Sequence, residues 1–403
     1  MSTTQKPLHV LIVGAGLAGL TLAQALRKQG ITYEVFERDA SIDARSQGWA
    51  IALHRILPDF RASLPEDLGP VDGTSHLLPL DKPAQFSYYF DNKLVSLVTK
   101  DENFALVRAN RKRLRRYLAQ NIDINWDKNW TSIEEGPDSV TIHFSDGSSA
   151  SGDILVGADG VHSKVRVHKL SGKDLLNTLP LSIIVGETSL PKEDYERIMS
   201  LGHSAYVATT SSGQSVFGAL NSVDPDGAHA NFYWMAMRPD PSLAKGELPW
   251  TQNATQSEQL AEALRRSNEL DPKYTELLRL TPETGISTFP LVIRDIVIDD
   301  LPVSRLTLVG DAMHSMAPHR GEGGNTSMQD SLNLARTIGQ IALAKDDKAN
   351  MMELLKQHQE EVLARSRPIV LASRTAAVGA GGQVPDGHFE TWQKELRGET
   401  KVY

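Results

Sequence analysis

The chain has 403 residues, of which 40% are hydrophobic and 23% are charged, and this length and composition fit a globular protein of two joined domains. The formal net charge of -8 argues against a protein that coats nucleic acid or another polyanion. Because the sequence contains no cysteine, disulfides, cysteine-ligated zinc, iron–sulfur clusters, a thiol nucleophile and a cysteine-tethered cofactor are all excluded.

The N-terminal segment predicts a strand, a glycine-rich turn, a helix and a second strand. Residues 8–13 form an apolar β-type run, residues 20–28 are typical of a helix that Gly30 ends, and residues 32–37 are rich in strand-forming side chains. Residues 8–26 contain no Asp, Glu, Lys or Arg, so they also resemble a signal peptide or a membrane anchor. The glycines within this run favour a buried strand and helix instead, and we expect a soluble cytoplasmic protein without a membrane span.

The turn of this unit has the spacing of a dinucleotide-binding loop, with glycine at positions 14, 16 and 19. The first glycine permits a tight turn, the second lets the backbone approach a pyrophosphate, and the third lets helix and strand pack closely. The phosphates would then lie on amide groups at the positive end of the helix. Glu37 follows Gly19 by 18 residues, at the end of the second strand, where its carboxylate can accept hydrogen bonds from ribose hydroxyls.

A basic stretch marks the next predicted helix, at residues 111–120. Six of the nine residues from Arg108 to Arg116 are basic. Such a run is usually the solvated face of a helix, and we expect this for most of it; a nuclear signal or a nucleic-acid patch is the alternative. Arg45, in a loop before this helix, has a similar alternative interpretation as a solvated cation.

A central motif follows a buried strand. Residues 139–145 alternate in polarity, Asp146-Gly147 signals a hairpin turn, and residues 154–156 form an apolar strand. The chain then reads Gly157-Ala158-Asp159-Gly160 and enters a helix. Taken alone, this motif is a polar loop at the start of a helix.

Residues 180–295 predict a second domain built on a mostly antiparallel sheet. Its strand-like runs, which polar or Gly/Pro-containing turns separate, lie at residues 181–185, 205–209, 215–220 and 231–237. One helix, at about residues 257–267, interrupts the sheet.

A late motif again follows a buried strand, at residues 305–309, and begins with Gly310-Asp311. An aspartate at the carboxyl end of a strand suits a ligand that is rich in hydroxyl groups. Further on, the segment Pro318-x-x-Gly321-x-Gly323-x-Asn325 enters a helix. The predicted helices cover residues 326–344 and 350–374, Pro368 should kink or end the second, and the tail after residue 378 should be loose.

These three motifs, in this order, resemble the group A flavoprotein monooxygenases, the family of p-hydroxybenzoate hydroxylase. The matching stretches span roughly residues 8–345, and their combination is specific although each motif alone is not. The resemblance implies an α/β fold with a discontinuous Rossmann-like FAD-binding domain, a mostly antiparallel substrate domain and C-terminal helices. The predicted limits are residues 1–175 and 297–345 for the FAD-binding domain, 176–296 for the substrate domain, and 346–403 for the C-terminal helices and tail.

The resemblance also implies how FAD is held. The glycine turn and Glu37 would bind the adenosine end, and Arg45 and Arg111 would lie near the phosphates and the ribityl chain. Asp311 would bind the ribityl hydroxyls, and Asp159 would orient this region and support a transient visit by NADPH or NADH. The predicted cofactor-binding residues are Gly14, Gly16, Ala18, Gly19, Glu37, Arg38, Arg45, Arg111, Asp159, Gly160, Gly310, Asp311 and Gly324.

The implied reaction inserts one oxygen atom of O₂, through a flavin C4a-hydroperoxide, into a small aromatic or polycyclic compound of secondary metabolism. Pro318 would lie beside the reactive flavin carbon. Gly321, Gly323 and Asn325 open a helix whose free amides and dipole would stabilise negative charge on reduced flavin. Many relatives have glutamine where this chain has Glu322, and its carboxylate would either disfavour an anionic reduced flavin or point to solvent.

The substrate should lie under the sheet of the second domain. Because successive strand residues point to opposite faces, about half of the candidates there should point inward, and the others would lie in the core or on the surface. The candidates are Tyr206, Phe217, Asn221, Tyr233, Trp234 and Met235. His54 and His319 could act as acid or base near neutral pH, although each is more often structural. Asp311, His314 and His319 could suggest a metal, but the flavin interpretation already uses this segment and we expect no metal.

Two rival interpretations stay open. One is another flavin oxidoreductase of the same fold, such as an epoxidase or a reductase; a halogenase is disfavoured because its Trp-x-Trp-x-Ile-Pro signature is missing. The other is a flavin-binding protein without turnover, or a nucleotide-binding regulator. A serine hydrolase is disfavoured because the sequence contains no Gly-x-Ser-x-Gly elbow. Whether the protein is a monomer or a homodimer is not readable.

Overall fold

The computed structural model describes residues 7–45, 48–101, 105–344 and 348–378. Its strands, in chain order, are β1 His9–Val13, β2 Thr32–Phe36, β3 Ala50–Leu53, β4 Gln85–Phe90, β5 Lys93–Thr99, β6 Val107–Asn110, β7 Ile124–Asn125, β8 Trp130–Glu135, β9 Val140–Phe144, β10 Ser149–Gly152, β11 Ile154–Gly157, β12 Asn177–Pro191, β13 Ala205–Thr209, β14 Ser215–Val223, β15 His229–Pro239, β16 Leu291–Asp295 and β17 Leu306–Leu308. The tail after residue 378, predicted to be loose, lies outside the described residues.

The helices lie between and after these strands. They are α1 Leu17–Gln29, α2 Leu57–Ser63, α3 Arg111–Leu118, α4 Lys164–Lys169, α5 Lys192–Met199, α6 Trp250–Asn253, α7 Gln256–Arg265, α8 Pro272–Arg279, α9 Asp311–His314, α10 Gly323–Leu343 and α11 Lys348–Val378. Short 3₁₀ turns lie at Glu66–Leu68, Val71–Thr74, Pro241–Lys245, Glu283–Gly285 and Pro318–Arg320. Within the described chain, none of the helices combines the length and the apolar run that crossing a membrane would require.

A parallel sheet organises the first part of the molecule, with strand order β17-β11-β1-β2-β7. Strand β1 is buried on both faces, as the apolar run predicts. Its residues Val10 and Ile12 pack with α1 and α10 in one core, whereas Leu11 and Val13 pack in a second core. The small antiparallel sheet β10-β9-β8 covers that second face through side chains such as Ile142. The predicted strand–turn–helix–strand unit is therefore confirmed.

A large sheet, with strand order β16-β12-β15-β14-β13-β4-β5, forms the second part of the molecule. All its neighbouring strands pair antiparallel except β13 and β4, which are parallel, so the prediction of a mostly antiparallel sheet is confirmed. One face is covered by α5, α7 and α8 around Trp234 and Tyr274. The opposite face carries Tyr233 and Met235.

Several local features differ from the sequence-based expectations. Strand β12 runs from Asn177 to Pro191 instead of over residues 181–185, and the region contains α5, α6 and α8 in addition to the one helix predicted for it. Strands β4 and β5 belong to the large sheet although they lie in the first part of the chain, so the predicted domain limits stay a prediction. Helix α11 does not end at Pro368: it continues to Val378, because Ile369 and Val370 beyond the proline are buried against the protein.

Candidate functional site

One cavity, of about 2110 Å³, lies between the carboxyl ends of the parallel strands and the large sheet. Gly16, Asp159 and Asp311, which are far apart in the chain and belong to the three predicted motifs, all border it. Tyr233 and Met235 of the large sheet border its other half. A typical site for one small ligand has roughly 300–1,000 Å³, so this cavity has room for an elongated cofactor and a second molecule.

The three glycines of the turn after β1 differ in the space that a side chain would find at each position. Gly14 has a φ of +110°, and a Cβ added there would lie 2.4 Å from the Ala158 carbonyl oxygen. A Cβ on Gly19 would lie 2.0 Å from the Gly14 carbonyl oxygen. At Gly16, in contrast, an added Cβ would meet no protein atom within 4 Å and would project into space beside the cavity. Two of the glycines therefore serve the fold, and the third leaves room for a ligand.

Glu37 lies at the cavity but is already engaged by the backbone. Its carboxylate accepts hydrogen bonds from the Ala15 amide at 2.8 Å and from the Asp39 amide at 3.0 Å. Arg115 lies behind it, with 3.6 Å between Nη2 and the carboxylate, and donates to the Ala15 carbonyl at 2.8 Å. Arg45 borders the cavity as well, but it is about half exposed and pairs with Asp39.

The basic stretch is only partly a solvated helix face. Arg108 and Arg115 are almost completely buried, so the interpretation as a solvated run is wrong for these two residues. Arg111 opens α3, after Asn110 caps the helix, and its side chain borders the cavity. Its Nε is buried without a hydrogen-bond partner among the described residues. Burial lowers the pKa of Arg111, whereas Asp311 and Tyr233 favour its charged form.

The central motif is built around the start of α4. The Asp159 carboxylate accepts from the Ser163 hydroxyl at 2.5 Å and from the Val165 amide at 3.2 Å, and burial raises the pKa of Asp159. Arg166 is fully buried and donates to the carbonyls of Val161, at 3.0 Å, and Ala312, at 3.1 Å. Because Ala312 belongs to the late motif, this guanidinium holds the two motifs together beside the cavity.

The late motif rests on a buried charged network. The Gly310 amide and His314 Nε2 both contact one oxygen of Asp330, at 2.9 and 2.5 Å, and Arg365 contacts the other at 2.8 Å. Burial opposes the charge on Asp330, but His314 and Arg365 lower its pKa to about 2. Burial likewise opposes the charge on His314, but Asp330 raises the pKa of the imidazole above its ordinary value. The network fixes the backbone of Gly310, and the Asp311 side chain opens into the cavity, where desolvation raises its pKa.

The glycine-rich turn before α10 forms one wall of the cavity. Pro318, Gly321, Gly323 and Gly324 border it. A Cβ on Gly324 would lie 1.9 Å from the Ile51 side chain, so the turn packs directly against β3. The helix that follows carries its positive dipole end toward this wall.

Asn325 lies behind that turn instead of on the cavity wall. Its amide nitrogen donates to the Ala52 carbonyl at 2.8 Å, and its oxygen accepts from the His54 amide at 3.2 Å. Burial and the neighbouring Arg55 lower the pKa of His54 to about 3, so His54 is neutral near pH 7 and does not border the cavity.

Glu322 takes neither of the two orientations that were open from the sequence alone. Its side chain is 1% exposed, forms an ion pair with Arg55 and does not border the cavity. The carboxylate is therefore neutralised by a cation at the base of the turn, instead of facing solvent or acting as an uncompensated charge.

The sheet-lined half of the cavity is aromatic and apolar. Phe217, Tyr233, Met235 and His319 border it, as predicted from the sequence. Burial lowers the pKa of His319 to about 4, so this imidazole is neutral near pH 7. Further lining residues that were not predicted include Trp49, Phe86, Arg108, Ile183 and Met237.

Three of the substrate candidates point elsewhere. Trp234 is fully buried on the helix-covered face, where its Nε1 donates to Thr281 at 2.9 Å. Tyr206 borders the cavity, but its hydroxyl donates to the Tyr274 carbonyl at 2.9 Å on that same helix-covered face. Asn221 does not border the cavity and accepts instead from Asn110.

The remaining predicted residues also divide into those that border the cavity and those that do not. Those that border the cavity are Ala18, Arg38 and Gly160, whereas Gly19 and Gly310 support it from behind. His314, one of the possible metal ligands, is held by Asp330 and does not border the cavity. No group of three His, Asp or Glu side chains that could hold a metal ion occurs in the part of the chain that the structure describes.

Comparison with known proteins identifies relatives of the whole chain. Residues 108–372 match a family described as FAD binding domain, and residues 12–58 match an NAD(P)-binding Rossmann-like domain. The FAD-dependent monooxygenase thnD of Trichoderma harzianum is 42% identical over 376 residues, which cover 91% of this chain and 92% of that protein.

Solved structures share the fold. The 2,6-dihydroxypyridine-3-hydroxylase from Arthrobacter nicotinovorans has a TM-score of 0.73 and 18% identity, with 95% of this chain and 96% of that chain covered. Klebsiella pneumoniae HpxO, in complex with FAD and uric acid, has a TM-score of 0.70 and 22% identity, with 98% of this chain and 93% of that chain covered.

Proposed function

This chain belongs to the family of FAD-dependent monooxygenases, and on that premise we propose that it uses NAD(P)H and O₂ to hydroxylate or epoxidise an aromatic or polycyclic compound bound under the large sheet. The observation that carries this proposal is the division of the large cavity into two halves. One half is bordered by all three cofactor motifs, and the other half by aromatic and apolar side chains of the sheet. This division suits one polar, elongated cofactor and one less polar substrate.

The cofactor half fits FAD on three independent features. The space beside Gly16 would admit a pyrophosphate close to the backbone. The buried Nε of Arg111 lacks a hydrogen-bond partner among the described residues, and a buried donor of this kind calls for an oxygen of a ligand. The Asp311 carboxylate opens into the cavity, where it could accept from ribityl hydroxyls.

Bound there, FAD would supply the redox chemistry: it would accept hydride from NAD(P)H and activate O₂ for the insertion of one oxygen atom. The side chains and backbone of this protein would bind, orient and shield. The amides and the dipole at the start of α10 would favour negative charge beside Gly323 and Gly324. The ion pair with Arg55 offsets the charge of the Glu322 carboxylate, which would otherwise oppose this effect.

The sheet-lined half would hold the substrate and keep water out. Met235, Met237 and Ile183 provide apolar surface, and Tyr233 with Trp49 provides a flat aromatic surface for a ring. Exclusion of water matters because an activated oxygen species that meets water is lost without product. His319 would remain a neutral imidazole on this wall, able to accept or donate one hydrogen bond but not to carry charge near pH 7.

We also propose that the protein works in the cytoplasm, as a monomer or a homodimer, on a small molecule and without a nucleic-acid partner. The net charge of -8 supports the last point. The family resemblance favours NADPH over NADH.

The test has two steps. FAD-loaded protein is first mixed with NADPH or NADH without air, and bleaching of the flavin absorbance is recorded. The protein is then supplied with isotopically labelled O₂ and a panel of phenols, indoles and polyketide-derived ring compounds. We expect ligand-stimulated NAD(P)H oxidation and a product that carries one labelled oxygen atom. A flavin that neither nucleotide bleaches would make this a flavin-binding protein without turnover, and NAD(P)H oxidation without any labelled product would overturn the monooxygenase proposal for this panel of ring compounds.

A further inference from the structure

The end of helix α11 forms one wall of the sheet-lined half of the cavity. Beyond Pro368 the helix continues over residues 369–378, which extend it by roughly 15 Å. Side chains of these last turns border the same cavity as Tyr233 and Met235. They are Ala372, Thr375, Ala376, Ala377 and Val378. The C-terminal helix therefore helps to shape the half of the cavity that we assign to the substrate.

An ion pair fixes this helix end to the edge of the large sheet. The Arg374 guanidinium donates to both carboxylate oxygens of Asp295, at 2.6 Å from Nε and 2.9 Å from Nη2. Asp295 is the last residue of β16 and is fully buried, and Asn177 of β12 donates to the same carboxylate at 2.8 Å. Because a two-pronged pair fixes angle as well as distance, the helix end has a defined position on the sheet.

Apolar packing holds the helix end on two further sides. Ala377 packs against an apolar cluster of the large sheet that includes Ile293. Ser373 is fully buried, and its hydroxyl contacts the sulfur of Met316 at 3.9 Å. Met316 lies two residues before Pro318, which opens the glycine-rich wall of the cofactor half. The end of α11 is therefore wedged between the large sheet and the segment that leads into that wall.

The space beside this wall is apolar and open. Strands β12, β15 and β16 contribute apolar side chains that border it, namely Leu181, Ile183, Met237, Leu291 and Ile293. On the helix, the Thr375 hydroxyl donates to the Leu371 carbonyl at 3.0 Å, so its proton is already engaged within α11. Ala372 and Ala376 lie one turn apart on the same face of the helix, and their small side chains leave the neighbouring space free. This space suits an apolar part of a ligand.

We propose that the last turns of α11 are a specificity-determining wall, and that Ala372 and Ala376 set how many fused rings the substrate has. This assignment rests on the proposed function and narrows it: beyond the ring that reacts, the substrate carries further fused rings, whose apolar edge lies between α11 and the large sheet. Larger side chains at the two positions fill this space and leave room for one-ring compounds only. Contacts to the remote rings supply binding free energy that orients the reacting ring.

The test measures ligand binding to the oxidised, FAD-loaded protein without NAD(P)H, so the result does not depend on turnover. The ligands are phenol, 2-naphthol and 2-hydroxyanthracene, which share one hydroxyl and differ stepwise by one fused ring. Equilibrium dialysis measures the dissociation constant of each. For the wild type, we expect 2-hydroxyanthracene to bind at least about tenfold more tightly than phenol, because its two additional rings bury apolar surface.

Two variants narrow the space beside the helix. Ala372→Leu and Ala376→Leu should each weaken the binding of 2-hydroxyanthracene at least about tenfold, because the added atoms overfill the space, and should change the binding of phenol less than about threefold. Ala364→Leu is the matched control, since it makes the same change at an exposed position of the same helix that does not border the cavity. It should bind all three ligands as the wild type does. Far-ultraviolet circular dichroism and the amount of FAD retained should be the same in all these proteins.

Each contrary outcome overturns the proposal. If the two cavity-facing variants bound 2-hydroxyanthracene as tightly as Ala364→Leu does, the additional rings would not lie against α11. If they lost phenol and 2-hydroxyanthracene to the same extent, the helix end would support the cavity as a whole without setting the size of the ligand. A wild-type protein that binds phenol as tightly as 2-hydroxyanthracene would have no apolar space for further rings. Failure of the proposed function is seen separately, as NAD(P)H oxidation without labelled product, whatever the dialysis result.

Discussion

Replacement of Gly16 by alanine should separate the fold of this protein from its hold on FAD. The backbone at Gly16 has a φ of -82° and a ψ of -174°, which any residue adopts, and an added Cβ would meet no protein atom within 4 Å. The methyl group would instead occupy space that the proposed pyrophosphate needs. We therefore expect Gly16→Ala to leave the apoprotein intact and to weaken FAD binding.

The magnitudes follow from the two environments. In the apoprotein, a glycine replaced by alanine at a compatible backbone position usually gains about 0.4–1 kcal/mol, because the unfolded chain loses freedom. In the complex, one methyl group too many in a packed contact costs about 1–3 kcal/mol, which corresponds to FAD binding roughly 5- to 150-fold weaker. Gly14→Ala is the matched control: its φ of +110° and a Cβ 2.4 Å from Ala158 O predict a less stable apoprotein, by at least about 2 kcal/mol.

Urea unfolding of the apoproteins gives the first quantity, and titration with FAD, followed by quenching of its fluorescence, gives the second. Two results would refute the reasoning. If Gly16→Ala bound FAD as tightly as the wild type, the cofactor would not pass beside this residue. If Gly16→Ala destabilised the apoprotein as much as Gly14→Ala does, Gly16 would not have the open space beside it that the argument requires.

The late motif and its surroundings give three more tests. Asp311→Ala should weaken FAD binding roughly tenfold or more, and Arg45→Ala should weaken it less. The reason is that Asp311 opens into the cavity, whereas Arg45 is half exposed and paired with an aspartate. Gel filtration of the holoproteins compares the amount of FAD that each variant retains. Arg55→Met should lower the free energy of unfolding by about 1–3 kcal/mol, because the buried Glu322 carboxylate loses this partner, and urea unfolding measures the loss. His314→Gln should lower the free energy of unfolding most below pH 6.5, because folding raises the pKa of this imidazole above 6.5. The charged imidazole stabilises the fold fully below its pKa in the unfolded chain, and this contribution is lost as the pH rises through its pKa in the folded protein. Urea unfolding at about pH 6 and about pH 9 checks this direction.

Each of these tests has its own contrary result. Unchanged FAD retention in Asp311→Ala would count directly against the ribityl contact. Arg61→Met, which breaks an exposed ion pair with Asp72, is the control for Arg55→Met. If both variants lost the same free energy of unfolding, the charge of the Glu322 carboxylate would be compensated in another way. A cost of His314→Gln that grows with pH would mean that the neutral imidazole is the stabilising form.

The cofactor half could be predicted from the sequence because its signals are local. The turn at Gly14 requires a backbone conformation that glycine tolerates, and strands such as β1 show their burial in their own residues. The three motifs were therefore readable one at a time. Their convergence on one cofactor was implied by the family resemblance, and it agrees with the rule that ligands bind at the carboxyl ends of parallel strands.

The substrate half could be predicted only in part, because it depends on contacts between distant segments. Whether Tyr233 or Trp234 faces the cavity is decided by the register of β15, and a shift by one residue would exchange them. Buried Arg108 donates hydrogen bonds to the carbonyl groups of residues 204 and 220, and the sequence around residue 108 does not indicate these distant partners. A run of arginines therefore indicated a solvated face where the structure has a buried cation.

The pairing of β4 with β13 has a consequence for how this protein can be divided and exchanged. The large sheet is completed by residues 85–99, which precede the rest of its strands by some length of chain. A fragment of residues 176–296 alone would lack these two strands and present β13 as an open ladder, prone to aggregate. During synthesis, the hairpin of β4 and β5 is made before β13, the strand that joins it to the rest of the sheet. To transfer this sheet from one relative to another, residues 85–99 and the later strands would therefore have to be replaced together.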